Sequence, residues 1–510
     1  MELDGKTLTD GATLDADLCV VGAGPAGLAL AAQFIDQRCD VILLESGAHW
    51  PEPEILALND GDVSGDDYAG LQKTRHRQIG GSSWMWNTGI QKVTGAKYAP
   101  LDPIDMEKRS PIELSGWPLA YEELIKYYER AQSICGLGPF AYDAGPWIRS
   151  GHVPFQNAGT QLVSRVYQLG TRGALLKGVV GPVLGAANLR LFKHATVLRL
   201  ETNGFQGRVL RAAIASPGGP QWSVRAKHFV LAAGAVENAR ILLVSGNEPE
   251  GLGNQFGWVG RCFMEHPRDR SLFLTPRSQA TYQNAAFYDS HTAVDGTMIQ
   301  GRLALADETV RSEQLLNSSA TLLPLPKPGV LRSRDALMRL GLLHRVESWL
   351  PGVGLGWSRC AFPSQLLEGF NVLLNLEQAP HPENRVHLGP RRDALGVPLP
   401  ELHWRWRAED QVVLERVRTL FAREVQAAGI GLVSVKGDSP PDPNAHHHAG
   451  TTRMSADPRF GVVDAHGRVH SVDNLFIAGA SVFPTAGFAN PVLSIVALAV
   501  RLADHLKGMM

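Results

Sequence analysis

Short apolar runs separated by glycine-rich or polar segments open the chain. Residues 17–22 (DLCVVG) are one such run, and VILLES from Val41 is a second one. Between them lie the turn Gly22–Gly27 and the apolar stretch LALAAQFI. Apolar runs of about four to eight residues bounded by turn residues are typical of buried strands. The pattern therefore predicts a strand, a turn, a helix and a second strand.

The turn has the spacing G-x-G-x-x-G. Its glycines, Gly22, Gly24 and Gly27, suit a tight turn, close approach of the backbone to a pyrophosphate, and close packing of helix on strand. Glu45 ends the second strand, 18 residues after Gly27, where an acid can bind the hydroxyls of a ribose. These four residues predict a dinucleotide-binding unit; for Glu45 the alternative is a solvated carboxylate at a strand end.

Further helices and strands follow along the chain. Helices are predicted at residues 117–138 and 408–428, and the apolar helix VLSIVALAVRLADHL is predicted to open at Pro491, because proline suits the first helical position. From residue 188 onwards, apolar runs and turn residues predict strands. Residues 325–360 are rich in proline, glycine and arginine. A surface insertion is favoured there over an amphipathic lid, a subunit contact or a membrane-surface helix.

Composition narrows the classes of function. Hydrophobic residues make up 44% of the 510 residues and charged residues 19%, so the chain can bury a sizeable core. A net charge of −1 provides no overall field for a polyanion, and we expect no nucleic-acid partner. The five cysteines form no C-x-x-C pair, which indicates free thiols. Since no leader-like segment and no apolar run of about 18 residues appears, we predict a cytoplasmic protein without a membrane span.

The C-terminal region carries most of the candidate chemistry. His446, His447 and His448 are adjacent and precede Gly450 and Thr451. A strand-like run, a small-residue turn and a loop then lead to the helix at Pro491. Three neighbouring histidines are compatible with a metal-binding cluster or a surface cluster as well as with catalysis. No second complete strand, G-x-G-x-x-G turn and helix occurs, so a separate nicotinamide site is not supported.

Four motifs in this order resemble those of the glucose-methanol-choline (GMC) oxidoreductases, a family of FAD-dependent enzymes that oxidise alcohols. They are GAGPAG with Glu45, the GGSS turn from Gly80, HHHAGTTRM at 446–454 and NLFIAGASVFPTAGFANP at 474–491. The resemblance implies an α/β fold with a Rossmann-like FAD-binding domain and a discontinuous, sheet-based (α+β) substrate domain. The expected FAD-binding segments are 1–100, 185–265 and 440–510, and the expected substrate-binding segments are 101–184 and 266–439.

The resemblance also selects the catalytic residues. The family's H-x-x-G-T pattern falls on His447, and its second position, a His or Asn ahead of the last helix, falls on Asn490. Histidine is the side chain whose ordinary pKa suits removal of a hydroxyl proton near neutral pH. A neutral amide can donate a hydrogen bond to the developing alkoxide without competing for that proton. We therefore expect His447 to be the base and Asn490 the donor.

FAD is the expected cofactor, and no metal is expected. By the resemblance, the cofactor contacts beyond the first turn are Gly81, Ser82, Asn87, Val197, Gly234, Gly479, Ala480, Asn490 and Pro491. Members that tether the flavin do so through a histidine at the position of Met85, so FAD should be bound without a covalent bond. For Trp84 and Trp86, core packing and ligand contact are both open. Gln378 is a candidate substrate contact, with an ordinary strand residue as the alternative.

The expected reaction is oxidation of a CH–OH group to a carbonyl. The HHHAGTTRM form and residues 101–138 look most similar to bacterial pyranose oxidases and glycoside 3-oxidases, which implies a secondary hydroxyl of a sugar or glycoside as substrate. Oxidation of a non-sugar alcohol and a redox-neutral flavoprotein lyase are the alternatives. The expected partners are the small-molecule substrate and either oxygen or another electron acceptor.

Overall fold

The structure is a computed structural model that describes most of the chain. The described residues are 1–90, 93–110, 112–149, 152–155, 161–203, 207–246, 250–329, 367–437 and 440–510. Most of the 325–360 segment, for which the sequence predicts a surface insertion, lies outside them.

Twenty strands and ten α-helices are present among the described residues. The strands are β1 (Glu2–Asp4), β2 (Thr13–Val21), β3 (Val41–Leu44), β4 (Asp62–Gly65), β5 (Thr88–Ile90), β6 (Val93–Tyr98), β7 (Leu162–Thr171), β8 (Leu189–Lys193), β9 (Thr196–Thr202), β10 (Val209–Ala215), β11 (Gln221–Leu231), β12 (Arg268–Pro276), β13 (Ser290–Thr292), β14 (Met298–Leu305), β15 (Ser318–Pro326), β16 (Leu367–Leu376), β17 (Arg385–Arg392), β18 (Pro398–Trp404), β19 (Gly431–Val435) and β20 (Leu475–Ile477). The helices are α1 (Pro25–Ala32), α2 (Pro53–Leu56), α3 (Pro103–Met106), α4 (Tyr121–Cys135), α5 (Arg172–Gly185), α6 (Ala235–Leu243), α7 (Gln279–Asn284), α8 (Asp307–Ser312), α9 (Ala408–Ala427) and α10 (Val492–Lys507).

The first sheet has the strand order β1-β8-β3-β2-β11-β10-β9, with β20 beside β11. Its neighbours are parallel except for the two pairs that contain β10. All four residues of β3 are buried, and Leu18, Cys19 and Val20 of β2 have no exposed surface. Such continuous apolar strands are typical of a parallel sheet covered on both faces.

Two of the helices predicted from the sequence belong to this part of the fold. The helix predicted at 117–138 is α4, which ends where Gly136 adopts a left-handed φ of +65°. The helix predicted at Pro491 is α10, for which Pro491 is the N-terminal cap. Helix α10 packs against α1 and α4, and the hydroxyls of Tyr128 and Ser494 are 2.8 Å apart at the second of these contacts.

The second sheet is antiparallel throughout. Its order is β19-β12-β16-β15-β14-β7-β6-β5, with β13 beside β14. Strands β5 and β6 belong to it because residues 95–98 pair with residues 168–171 of β7. The predicted FAD-binding segment 1–100 therefore contributes these two strands to the second sheet.

Two further features complete the fold. A third sheet of the described chain, β17-β18-β4, joins residues 62–65 to the segment 385–404. Helices α4 and α5 belong to the predicted substrate segment 101–184, apart from the last residue of α5. Helix α4 packs against α10, and helix α5 packs against α1.

None of the described helices is both long and apolar enough to cross a membrane.

Candidate active site

A cavity of about 500 Å³ lies at one edge of the first sheet. Strands β2, β3, β11 and β20 are parallel to one another, so their carboxyl ends meet at the same edge. The residues that follow these strands, among them Gly22, Glu45, Gly234 and Gly479, line the cavity. The topology thus brings together residues from three distant parts of the sequence.

Three glycines leave open space in the wall of this cavity. A methyl group at Gly234 or Gly479 would meet no atom within 4 Å, and one at Gly24 would meet only the Cα of Gly81, at 4.0 Å. Gly234 and Gly479 also have φ values of +84° and +114°, which L-residues rarely adopt. These positions form a cradle that side chains would fill, and it fits an extended dinucleotide passing over the strand ends.

The other two glycines of the first turn have packing roles. A Cβ at Gly22 would lie 2.6 Å from the carbonyl oxygen of Ala232, and one at Gly27 would lie 1.9 Å from that of Gly22. Gly27 is therefore required where α1 crosses its own strand, and it does not line the cavity. This is the close helix–strand packing that the motif predicts.

Glu45 and Val197 line the part of the cavity near the first turn. The Glu45 carboxylate accepts hydrogen bonds from the backbone N–H groups of Ala23, at 2.9 Å, and Gly47, at 3.1 Å. Burial raises the pKa of the Glu45 carboxyl, and these two donors oppose the increase. Glu45 is only 7% exposed, so it is not the solvated strand-end carboxylate of the alternative interpretation.

The turn from Gly80 forms a second wall. Residues 81–85 make a 3-10 helix that starts after Gly80, whose φ is +96°, and Ser82, Met85 and Asn87 line the cavity. The two tryptophans of this segment, Trp84 and Trp86, have different surroundings. Trp84 donates to the carbonyl oxygen of Ile79 and stacks on Arg172, outside the cavity lining. Trp86 lines the cavity.

His447 and Asn490 meet at the wall of the same cavity. The Nδ2 atom of Asn490 lies 3.0 Å from Nε2 of His447, and the other ring nitrogen of His447, Nδ1, lies 3.0 Å from Nδ1 of His266. Burial lowers the pKa of His447 well below its ordinary value, and the positive charge of Arg268 adds to this effect. The imidazole is therefore neutral near pH 7, and a neutral imidazole can accept a proton.

The two neighbouring histidines have different surroundings. Nε2 of His448 lies 2.9 Å from the Tyr68 hydroxyl and 3.4 Å from Oε1 of Glu265. His446 has a left-handed φ of +60°, and its Nδ1 has no hydrogen-bond partner in the described part of the chain. A metal-binding cluster would need several ligand atoms close together. Such a group exists here, because one ligand atom from each of Glu265, His446 and His448 lies within 4.8 Å of the other two. The Tyr68 hydroxyl also bonds Glu265, at 2.6 Å, and so satisfies two of these groups without a cation.

Gln378 is not brought to the cavity. Its side chain has no exposed surface, and its Oε1 accepts hydrogen bonds from the backbone N–H of Glu265 and from Nε1 of Trp404, both at 3.1 Å. Its Nε2 donates to the carbonyl oxygen of Arg405. Both ends of the amide are thus engaged within the protein, which is the ordinary structural role left open by the sequence.

Several lining residues have no signal in the sequence. His266 follows no recognisable spacing, and Lys97 and Asn375 lie on strands β6 and β16 of the second sheet. Burial lowers the pKa of Lys97 to about 8. These residues reach the cavity only because the second sheet faces the strand ends of the first.

An arginine-rich group lies beside the first turn. Arg75 and Arg77 line the cavity and form ion pairs with Glu237, which also pairs with Arg240. Burial alone would raise the pKa of Glu237, but the three guanidinium groups hold it well below its usual range. The two carboxylates of the cavity lining, Glu45 and Glu237, are therefore both engaged within the protein.

Comparison with known proteins agrees with this geometry. Residues 380–499, which include His447 and Asn490, match the family model described as GMC oxidoreductase. Over these residues the chain is similar to the GMC oxidoreductases. The predicted family and enzyme class are thereby confirmed, and members of this family generally bind FAD.

Three GMC-type relatives are similar over 96% of this chain. Paromamine 6'-oxidase of Streptomyces fradiae is 25% identical, with 91% of its own length covered. The fructose dehydrogenase large subunit of Gluconobacter japonicus is 24% identical, with 98% covered. The C-glycoside 3-oxidase of Microbacterium trichothecenolyticum is 23% identical, with 96% covered.

A solved structure confirms the predicted fold class. The crystal structure of pyridoxine 4-oxidase from Mesorbium loti superposes with a TM-score of 0.53 at 19% identity, covering 96% of this chain and 99% of that one. The predicted combination of a Rossmann-like unit with a sheet-based second unit is therefore correct.

Proposed function

We propose that the protein oxidises a CH–OH group of a small molecule to a carbonyl, with non-covalently bound FAD and with His447 as the base. The observation that carries the proposal is the 3.0 Å contact between His447 and Asn490 on the wall of the glycine-lined cavity. A base and a neutral donor side by side are what removal of a proton from an alcohol requires.

His447 takes the hydroxyl proton. Its imidazole is neutral because burial lowers its pKa, so one ring nitrogen has a lone pair that can take the proton once the Asn490 N–H moves off it. An Asn amide has two N–H donors. One of them accounts for the contact between Asn490 Nδ2 and Nε2 of His447, and the other can bond the substrate oxygen as negative charge develops there.

The glycine cradle and the turns around it hold the cofactor. Bound FAD would accept the hydride from the carbinol carbon and so take up both electrons of the oxidation. Gly24, Gly234 and Gly479 leave room for the extended chain of FAD. The Glu45 carboxylate lies in the same lining, where it could bond a ribose hydroxyl of FAD. The N-terminus of α10 begins at the cavity wall and would offer about half a positive charge to a flavin bound there. Met85 lines the cavity, and its thioether lacks the ring nitrogen through which a histidine would tether the flavin.

The chemistry of the opposite wall favours a neutral polar substrate. Lys97 and Asn375 supply hydrogen-bond donors from the second sheet, whereas Glu45 and Glu237 are both engaged within the protein. A quaternary ammonium alcohol would therefore meet no free carboxylate in this lining. The names fructose dehydrogenase and C-glycoside 3-oxidase support a sugar, and we assign a secondary hydroxyl of a pyranose or glycoside as the reacting group.

Oxygen or another electron acceptor would reoxidise the flavin and complete the cycle.

The state of the cysteines bears on the location of the protein. The four described cysteines are buried free thiols, which is the state expected in a reducing compartment; they are Cys19, Cys39, Cys135 and Cys262. The cytoplasm is the location that we propose on this basis.

An anaerobic screen tests the proposal. The FAD-loaded protein is mixed without oxygen with monosaccharides, O- and C-glycosides, and simple aliphatic and aryl alcohols, and the flavin absorbance is followed. We expect bleaching by at least one glycoside and recovery of the absorbance when air or an artificial acceptor is admitted. Bleaching by simple alcohols alone would remove the sugar assignment. Conversion of a substrate with the flavin permanently oxidised would favour a lyase and overturn the proposal.

A further inference from the structure

The side chain of His266 is the nearest partner of the proposed base on the side away from Asn490. Nδ1 of His266 and Nδ1 of His447 are 3.0 Å apart, with the two rings inclined at 74°. Two imidazole nitrogens at this distance share one hydrogen, so one ring donates and the other accepts. Burial lowers the pKa of both rings, that of His266 to about 4, so neither carries an extra proton near pH 7.

The amide of Asn490 decides which ring donates. Its Nδ2 atom lies 3.0 Å from Nε2 of His447, and an amide nitrogen can only donate. Nε2 must then be the accepting nitrogen of His447, and the ring hydrogen must be on Nδ1. That hydrogen points to Nδ1 of His266, which accepts it. The reverse tautomer would place two donors face to face at the Asn490 contact.

The backbone holds the two rings in this register. Oε2 of Glu265 accepts hydrogen bonds from the backbone N–H of His447, at 2.9 Å, and of His266, at 3.2 Å. Next to them, Met264 and Ala449 exchange two backbone hydrogen bonds of 3.0 Å. The His266 side chain is only 1% exposed. One carboxylate and one backbone bridge therefore fix both histidine-bearing segments.

We propose that His266 is a positioning residue that keeps Nε2 of His447 unprotonated by accepting the hydrogen of its Nδ1. This inference rests on the proposed function, in which His447 is the base. When the hydroxyl proton reaches Nε2, the Asn490 N–H gives up its hydrogen bond to this nitrogen and is free to bond the substrate oxygen. The imidazolium keeps donating from Nδ1 to the His266 lone pair, so the ring does not rotate during the reaction. Hydrogen bonds to the second nitrogen of a histidine are a general means of fixing its tautomer.

Two substitutions at His266, one without a hydrogen-bond acceptor and one with an acceptor, test this role. His266→Leu removes the acceptor, and His266→Asn restores one, because the Asn carbonyl oxygen can occupy the place of Nδ1. At saturating substrate, we expect the anaerobic rate of flavin reduction to fall roughly 10-fold in His266→Leu, which is less than the 10²- to 10⁴-fold that the positioned base itself contributes. The substrate concentration for half-maximal rate and the FAD content should change little, and His266→Asn should recover most of the rate.

A measurement on the resting protein separates this inference from the proposed function. In the ¹⁵N-histidine-labelled, FAD-loaded wild type, the spectrum of His447 should show a protonated Nδ1 and an unprotonated Nε2, and His266→Leu should shift the ring towards the other tautomer. A wild-type His447 with its hydrogen on Nε2 would overturn the inference. So would a His266→Leu variant that reduces its flavin as fast as the wild type. Failure of every alcohol to reduce the wild-type flavin would overturn the proposed function and leave the tautomer result standing.

Discussion

At the scale of single residues, the three adjacent histidines differ in the groups that they meet. The backbone at His446 is left-handed, which turns the chain so that His447 reaches Asn490 while His448 reaches Tyr68. The family's spacing to Gly450-Thr451 predicts that His447 is the base, and His447 is the histidine whose ring contacts Asn490. No spacing predicts His266, because 181 residues separate it from His447 in sequence.

Replacing His447 by alanine should abolish the base without removing the cofactor. We expect His447→Ala to retain FAD and to slow anaerobic flavin reduction by roughly 10²- to 10⁴-fold, the usual contribution of a positioned base. Stopped-flow absorbance at saturating substrate measures this rate. His446→Ala serves as the control, since His446 does not contact Asn490. An unchanged rate in His447→Ala would contradict the assignment.

The Glu265 carboxyl should make stability depend on pH. Burial raises its pKa to about 7, although hydrogen bonds from Tyr68 and from the backbone of His447 and His266 lower it. The folded protein therefore keeps a proton that the unfolded chain loses above about pH 4.5, so stability should fall as the pH rises from about 4.5 to 7. The shift corresponds to about 3 kcal/mol.

Melting temperatures of the FAD-loaded protein across this range measure the effect. Relative to Glu265→Gln, which has no such proton, the wild type should lose stability between pH 5 and pH 7. The exposed Glu54 provides the matched control, and Glu54→Gln should follow the wild type. Parallel curves for the wild type and Glu265→Gln would show that the carboxyl does not titrate in this range.

At the scale of elements, sequence patterns identify what is local along the chain. The strand, turn and helix around Gly22–Gly27, helix α4 and helix α10 all appear where apolar periodicity, glycine and proline predict them. Sequence patterns do not predict the cavity wall that carries Lys97 and Asn375. The strands of these two residues, β6 and β16, are positioned by pairing with β7 and β15, a pairing that no local pattern predicts. Gln378 shows the same limit, since the end of a strand is predictable but the surroundings of its side chain are not.

The glycine cradle predicts a selective effect on FAD binding. In Gly234→Ala the new methyl group would project into the open space of the cavity, at a φ of +84°. We expect FAD affinity to fall roughly 10-fold or more, since overpacking costs about 1–3 kcal/mol. Gly11 is the matched control because it has a similar φ of +76° in an exposed turn away from the cavity.

FAD titration of the two apoprotein variants makes the comparison. Gly11→Ala should lower stability by about 1–2 kcal/mol through backbone strain and bind FAD as the wild type does. Equal affinities for Gly234→Ala and Gly11→Ala would mean that the cofactor does not pass over Gly234.

At the scale of the whole molecule, the site lies where two sheets face each other. The first sheet supplies the glycine cradle at its strand ends, and the second supplies part of the opposite wall. The sequence does not show that strands β5 and β6, which follow the turn from Gly80 along the chain, pair into the second sheet, because that pairing is made with the distant strand β7.

The same arrangement predicts how the cofactor leaves the protein. Met85 lines the cavity, and the family resemblance puts it where a tethering histidine would stand, so precipitation with acid should release all of the flavin as FAD into the supernatant. Absorbance of the supernatant and of the washed pellet gives the distribution. Yellow colour that stays with the washed pellet would show a covalent bond.

The central claim is that the pair of His447 and Asn490 oxidises a CH–OH group with bound FAD, and an anaerobic titration tests it most directly. A glycoside that bleaches the flavin is added in known amounts to the FAD-loaded wild type, and the keto product is quantified after each addition. The account predicts one equivalent of carbonyl product for each flavin that is reduced. Product formed while the flavin stays oxidised, or flavin bleached without carbonyl product, would contradict it.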